Sequence, residues 1–101
     1  MKKIINRKKY DTETAKELGG NSNGMGRGDF RYIAETLYQK KNGEFFLHGA
    51  GGAMTEYAES YADGRGFGER IIPITEEEAR DWVEKNLDAE DYEEIFGEVE
   101  E

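Results

Sequence analysis

The chain contains no cysteine, one histidine (His48), one proline (Pro73) and two serines (Ser22 and Ser60). Without cysteine there is no disulfide framework, thiolate zinc site or cysteine nucleophile, which fits a cytoplasmic protein. Neither serine sits in a Gly-x-Ser-x-Gly elbow. The segment His48-Gly49-Ala50-Gly51-Gly52, which superficially resembles the oxyanion-hole stretch of some esterases, therefore has no nucleophile to serve. His48 lacks a second histidine for a metal pair, and a structural or surface role is expected for it. Asp88-Ala89-Glu90-Asp91 lacks the spacing and glycine of a calcium-binding helix-loop-helix. No metal site, no cofactor and no catalytic residue is expected, and the chain does not read as an enzyme. No apolar run approaches the ~18 residues of a membrane span. The basic start, Met1 to Arg7, reaches only two apolar residues before polarity returns, so no signal peptide is expected and the protein reads as soluble.

What is present is charge. There are 23 acids against 14 bases, a net charge of −9, with 36% hydrophobic and 12% aromatic residues. Thr75 to Glu101 alone holds 13 carboxylates against Arg80 and Lys85, a net of −11 that leaves +2 on the rest of the chain. The first nine residues carry Lys2, Lys3, Arg7, Lys8 and Lys9 with no acid. The polyanionic end repels nucleic acid and attracts nucleic-acid-binding surfaces. Solvated outer faces of amphipathic helices account for part of it, but 13 acids with two bases exceed what solubility needs.

The length suits one domain over residues 1–101 with one modest core. Lys2 to Asn6 and Lys8 to Thr12 read as a hairpin around Asn6-Arg7. Arg7 occupies the position where a type I′ turn prefers glycine, so it either adopts positive φ or the loop is longer. Asp11 or Thr12 then caps a short helix through Leu18, ended by Gly19-Gly20. Residues 19–29 read as a glycine-rich loop. Phe30 to Lys40 and Glu44 to His48 form a second hairpin about Asn42-Gly43. A two-residue loop there sets Gln39 opposite Phe46 and Tyr38 opposite Leu47, with both sheet faces partly covered. Met54 to Tyr61 fits either a strand or a helical turn. Residues 62–68 form a second glycine-rich loop, and Glu69 to Ile74 a strand placed at an edge by Pro73.

The C-terminal part, 75–101, is helical. Thr75-Glu76-Glu77-Glu78 is a capping box opening a helix to about Asn86, with Ala79, Trp82 and Val83 on one stripe and Trp82 as its anchor onto the sheet. Asp88 caps a second short helix carrying Tyr92, Ile95 and Phe96, stopped by Gly97. The resulting expectation is an α+β fold: a small antiparallel sheet built from hairpins, with two short C-terminal helices packed on it.

The glycine triplets Gly24-x-Gly26-x-Gly28 and Gly64-x-Gly66-x-Gly68 miss dinucleotide and phosphate-loop spacing and read as turns. Arg27-Gly28-Asp29 spells a cell-adhesion tripeptide that is frequent by chance. Arg27, Phe30, Arg31 and Tyr32 interleave cations and aromatics as single-strand binders do, but the net charge opposes that role.

Three blocks together carry a resemblance: Lys3-Ile4-Ile5-Asn6 through Tyr10-Asp11-Thr12-Glu13-Thr14-Ala15; Leu37-Tyr38 through Gly43-Glu44-Phe45-Phe46-Leu47-His48-Gly49-Ala50-Gly51-Gly52; and Ile72-Pro73-Ile74-Thr75-Glu76-Glu77-Glu78-Ala79 through Trp82 to Asp91-Tyr92-Glu93-Glu94-Ile95-Phe96-Gly97. They span nearly the whole chain and resemble a family of small acidic proteins from phages and mobile elements of Gram-positive bacteria. Some members are anti-CRISPR proteins that inhibit the type II RNA-guided nuclease. The chain departs from that pattern at Arg7, where glycine is usual. The resemblance implies a stoichiometric inhibitor acting in the bacterial cytoplasm. Its partner would be the nuclease or its guide-RNA complex, met by an acidic surface of Glu76, Glu77, Asp81, Glu84, Asp88, Glu90, Asp91, Glu93 and Glu94 that blocks a nucleic-acid-binding site. The alternatives are a guide-RNA-binding module using Lys2, Lys3, Arg7, Lys8 and Lys9, and a regulatory adaptor of a mobile element.

Overall fold

In the computed structural model, which describes all 101 residues, Asn6 and Arg7 both take positive φ, 51° and 66°. The first turn is thus a two-residue type I′ turn, and Arg7 accepts the conformation that glycine would adopt without cost. It joins β1 (Lys2–Ile5) to β2 (Lys8–Asp11), with Ile5 opposite Lys8.

The chain then departs from the expected helix. The Ala15 N–H donates to the Asp11 carbonyl at 3.0 Å, and the Asp11 carboxylate accepts from the Glu13 N–H at 2.9 Å. This single turn leads straight into strand β3 (Lys16–Ser22). Gly19 and Gly20, expected as a helix stop and loop, instead pair with Leu37 and Thr36 of β4 (Ile33–Gln39). Sheet pairing overrides weak local helix propensity here. Gly19 has its own packing reason, since a Cβ would come 2.7 Å from Leu87 Cδ1. The first glycine-rich loop therefore shrinks to the residues between Ser22 and Ile33, and Phe30 lies in it rather than in a strand.

β4 turns into β5 (Phe45–Gly51) one residue later than a two-residue loop allows. The Lys40 N–H donates to the Glu44 carbonyl at 2.7 Å and the Gly43 N–H to the Lys40 carbonyl at 2.9 Å, with Gly43 at φ 94°. This is a three-residue loop closing through a glycine bulge. The slip corrects the expected register: Gln39 faces Phe45, Tyr38 faces Phe46 and Leu37 faces Leu47. Because strand side chains alternate, every pairing across this hairpin changes face relative to the two-residue reading.

Residues 52–58 form turns, so the undecided segment is neither a continuous strand nor a helix. Two short strands follow, β6 (Glu59–Tyr61) and β7 (Gly64–Gly66). The second glycine-rich loop is therefore partly hairpin. β8 (Gly68–Ile74) pairs with β5 and forms the sheet edge, with Pro73 in an edge strand as expected. The main sheet has the order β3-β4-β5-β8, all neighbours antiparallel, while β1-β2 and β6-β7 are separate ribbons.

Helix α1 (Glu76–Asn86) opens on the expected capping box: Glu78 N–H to Thr75 Oγ1 at 3.1 Å, and Thr75 N–H to Glu78 Oε1 at 2.9 Å. α2 (Ala89–Phe96) is capped by Asp88 and ends at Gly97, φ 97°. One sheet face and the helices enclose Leu37, Phe45, Leu47, Ala79, Trp82 and Val83, with Tyr92, Ile95 and Phe96 packed against them. On the opposite face the N-terminal hairpin lays Tyr10 edge-on to Phe46, which also stacks on Tyr38 at 5.2 Å; Ile71 completes this second core. Both faces are covered, helices on one and hairpin on the other.

The helical face is fastened by a half-buried carboxylate. Glu35, on the same β4 face as Leu37, accepts Trp82 Nε1–H at 3.0 Å on one oxygen and the Tyr57 hydroxyl on the other. Tyr57 lies across Gly49, where any Cβ would overlap its ring. Burial first, and the Glu35 carboxylate second, push the Tyr57 phenol above its usual pKa. Gly49→Ala is expected to destabilise by about 1–3 kcal/mol through this overlap. Trp82→Ala, which empties the core beneath α1, is expected to cost about 3–5 kcal/mol. Urea unfolding checks both, and a midpoint unchanged in Trp82→Ala would show that α1 is not docked through that ring.

Candidate functional site

α1 places its apolar stripe, Ala79, Trp82 and Val83, against the sheet, so the opposite side must meet solvent. That side carries Glu77, Asp81 and Glu84 at i, i+4 and i+7, all exposed and none in an ion pair. Asp88 continues the line at the junction with α2. Three carboxylates over seven residues of helix give about one charge per 5 Å, sparser than the ~3.4 Å spacing along one strand of duplex DNA.

The nine acids expected to act together divide into smaller groups. Glu77, Asp81, Glu84 and Asp88 form the outward ridge. Glu76 is engaged by Arg80, with a guanidinium nitrogen 2.9 Å from Oε2. Arg80 also donates to the Tyr92 hydroxyl at 3.1 Å and lies 4.6 Å from the Phe96 ring centroid, so it braces α1 against α2. Glu93 joins Glu84 and Asp88 around an open groove between the helices. Asp91 and Glu94 point the other way, toward Lys16 and Glu17 of β3. Glu90 is exposed at the start of α2. The Asp91 carboxyl is raised above its usual pKa, first by hydrogen bonding to the Asp88 side chain and then by desolvation.

The lysines of the N-terminal hairpin lie across the sheet from this surface. Lys8 is not a free cation: its Nζ is 2.6 Å from Glu44 Oε2, while Lys40 holds Glu44 Oε1 at 2.8 Å and sits 4.2 Å over the Tyr10 ring. Asn42 adds a third donor to Glu44 at 3.0 Å. Lys2, Lys3, Arg7 and Lys9 remain exposed. The sheet therefore separates a basic pole from an acidic one. Sequence reading anticipated the two poles but not the Glu44 clasp that consumes Lys8, because it depends on the N-terminal hairpin packing on the main sheet, which brings residues 36 positions apart together.

His48 pairs with Glu69 across β5 and β8 at 3.0 Å, an ordinary cross-strand contact. No group of three or more His, Cys, Asp or Glu side chains is arranged to hold a metal ion. No helix is long and apolar enough to cross a membrane. Comparison with models of known protein families, with curated proteins and with solved structures finds no match for this chain.

The Glu44 clasp has a measurable signature. Hydrogen bonds from Lys40 first, then Lys8 and Asn42, hold its carboxyl down at about 2. A carboxylate whose folded pKa lies below its unfolded value stabilises the fold fully above the unfolded value, near 4.5. That contribution is lost as pH falls through about 2. Carboxyl-carbon NMR is expected to show Glu44 titrating near 2, and upward in Lys40→Ala and Lys8→Ala. An ordinary glutamate titration in the parent protein would mean that the clasp does not form in solution.

Proposed function

We propose that this protein is a stoichiometric, non-enzymatic anti-CRISPR inhibitor carried by a phage or other mobile element. It acts in the bacterial cytoplasm on a type II RNA-guided DNA nuclease. The observation that carries the reading is the ridge of Glu77, Asp81 and Glu84, continued by Asp88 at the start of α2: exposed carboxylates without cationic partners, the first three on a helix whose other side is anchored by Trp82. The family resemblance of the three sequence blocks supplies the kind of partner.

A type II nuclease presents arginine-rich surfaces to the adjacent-motif duplex and a cationic channel to the guide–target heteroduplex. An acidic ridge on a rigid helix meets such a surface without reorganisation, and opposite charges speed the encounter. Its spacing, sparser than that of a DNA strand, favours occupation of one arginine cluster over imitation of a whole duplex. Binding there excludes target DNA by competition. The interaction weakens as salt rises, since the Debye length is ~10 Å at 0.1 M and the ridge is fully solvated.

Titrating the protein into guide-loaded nuclease is expected to abolish target-DNA binding with a plateau near equimolar ratio. Reversing Glu77, Asp81 and Glu84 to Lys should weaken inhibition roughly tenfold or more, mostly through the association rate, with circular dichroism unchanged. Full inhibition by the triple variant would place the contact elsewhere. Intact DNA binding alongside blocked cleavage would rule out competition at the DNA site.

A further inference from the structure

The ridge ends at a groove whose floor is apolar. Leu87, Tyr92 and Val99 form its floor and Glu84, Asp88 and Glu93 its rim, enclosing about 490 Å³ open to solvent. Leu87 and Tyr92 each turn one side into the core and leave the other to the groove. Val99, carried back over α2 after the positive-φ turn at Gly97, is 58% exposed. Apolar surface left open between charged side chains is the pattern of an interaction site.

From this arrangement we infer that the groove receives a cationic amphipathic protein segment, one that seats a large apolar side chain on Leu87, Tyr92 and Val99 while flanking Lys or Arg side chains meet Glu84, Asp88 and Glu93. The inference rests on the reading of the acidic helices as a protein-binding surface and names the chemistry of what binds. Charge complementarity fixes the sign of the occupant. Arg80 does not compete for the rim, being held by Glu76 and the Tyr92 hydroxyl. The chain's own lysine-rich start is on the opposite face of the sheet. The division of labour is then physical: the rim steers and accelerates approach, and burial on the floor sets the lifetime of the complex.

The test uses the full chain and two synthetic peptides of equal charge, one of Lys with Leu at helical spacing and one with each Leu replaced by Ser. Calorimetry at physiological salt is expected to show the Lys/Leu peptide binding roughly tenfold or more tightly, as burial of one leucine provides. Ala89→Trp, at an exposed lining position in the first turn of α2, should fill the groove and remove that preference. Val99→Asp, beyond the last helix and unable to disturb the core, should reduce it. Equal affinity for the two peptides, or a preference that survives both substitutions, overturns the inference. Sedimentation of the protein alone covers a second copy as occupant: a dimer that Ala89→Trp dissociates would also overturn it. These outcomes are read without nuclease, so they stand apart from whether the ridge inhibits one.

Discussion

The Glu35 carboxylate is the point on which the helical side of this fold depends. It sits in the middle of a sheet strand, on the face that packs against α1, where an unpaired charge would be costly. Its two oxygens are used for two different connections: the Trp82 indole N–H from α1 and the Tyr57 hydroxyl from the 52–58 turns. Hydrogen bonds to a charged acceptor are about twice as strong as neutral ones, and both donors belong to rings that are nearly fully buried. Gly49, directly opposite Glu35 on β5, leaves the space through which Tyr57 reaches the carboxylate. One side chain therefore aligns a helix, a loop and the sheet between them. Everything proposed for the acidic surface requires that helix to be held still.

What was legible in the sequence was local. The capping box, the Ala79–Trp82–Val83 stripe, the Asp88 cap and the Gly97 stop are signals within a few residues of one another, and the helices followed them. The first turn, which the sequence leaves open between a tight and a longer loop, is the tight one, with Arg7 at positive φ. The failures lie where distant contacts decide. Gly19 belongs to a strand because it pairs with Leu37 of β4, and Leu87 packing over it leaves no room for a side chain; no feature near Gly19 announces either contact. The second hairpin differs by one residue because the turn closes through Lys40 and Glu44, and the same Glu44 is clasped by Lys8 from the other ribbon. Asn42-Gly43 marked the place of the turn without specifying its length. Glu35 was the largest omission among residues that matter. A single acid within a strand reads as a solvent-facing position, and only the convergence of Trp82 and Tyr57 reveals its role.

The candidate surface shows the same division. Counting charges locates the acidic pole, but only the fold sorts nine carboxylates into a free ridge, an intramolecular brace at Glu76, a groove rim that Glu93 completes, a pair beside β3 and Glu90 exposed at the start of α2. The sheet keeps Lys2, Lys3, Arg7, Lys8 and Lys9 of the N-terminal hairpin on its other face, so the two poles do not neutralise each other. A molecule with this separation orients itself in the field of a charged partner before contact. Trp82 and Arg80 act behind the surface: one docks α1 on the sheet, and the other ties α1 to α2.

The central claim is that the Glu35 carboxylate couples the helical layer and the 52–58 turns to the sheet. A double-mutant cycle between Glu35→Ala and Tyr57→Phe, read by urea unfolding, tests it most directly. Tyr57→Phe is expected to cost about 1.5–3 kcal/mol when Glu35 is present and close to nothing once Glu35 is alanine. An equal cost in both backgrounds would show that the Tyr57 hydroxyl and Glu35 do not act on each other, and the account would fail.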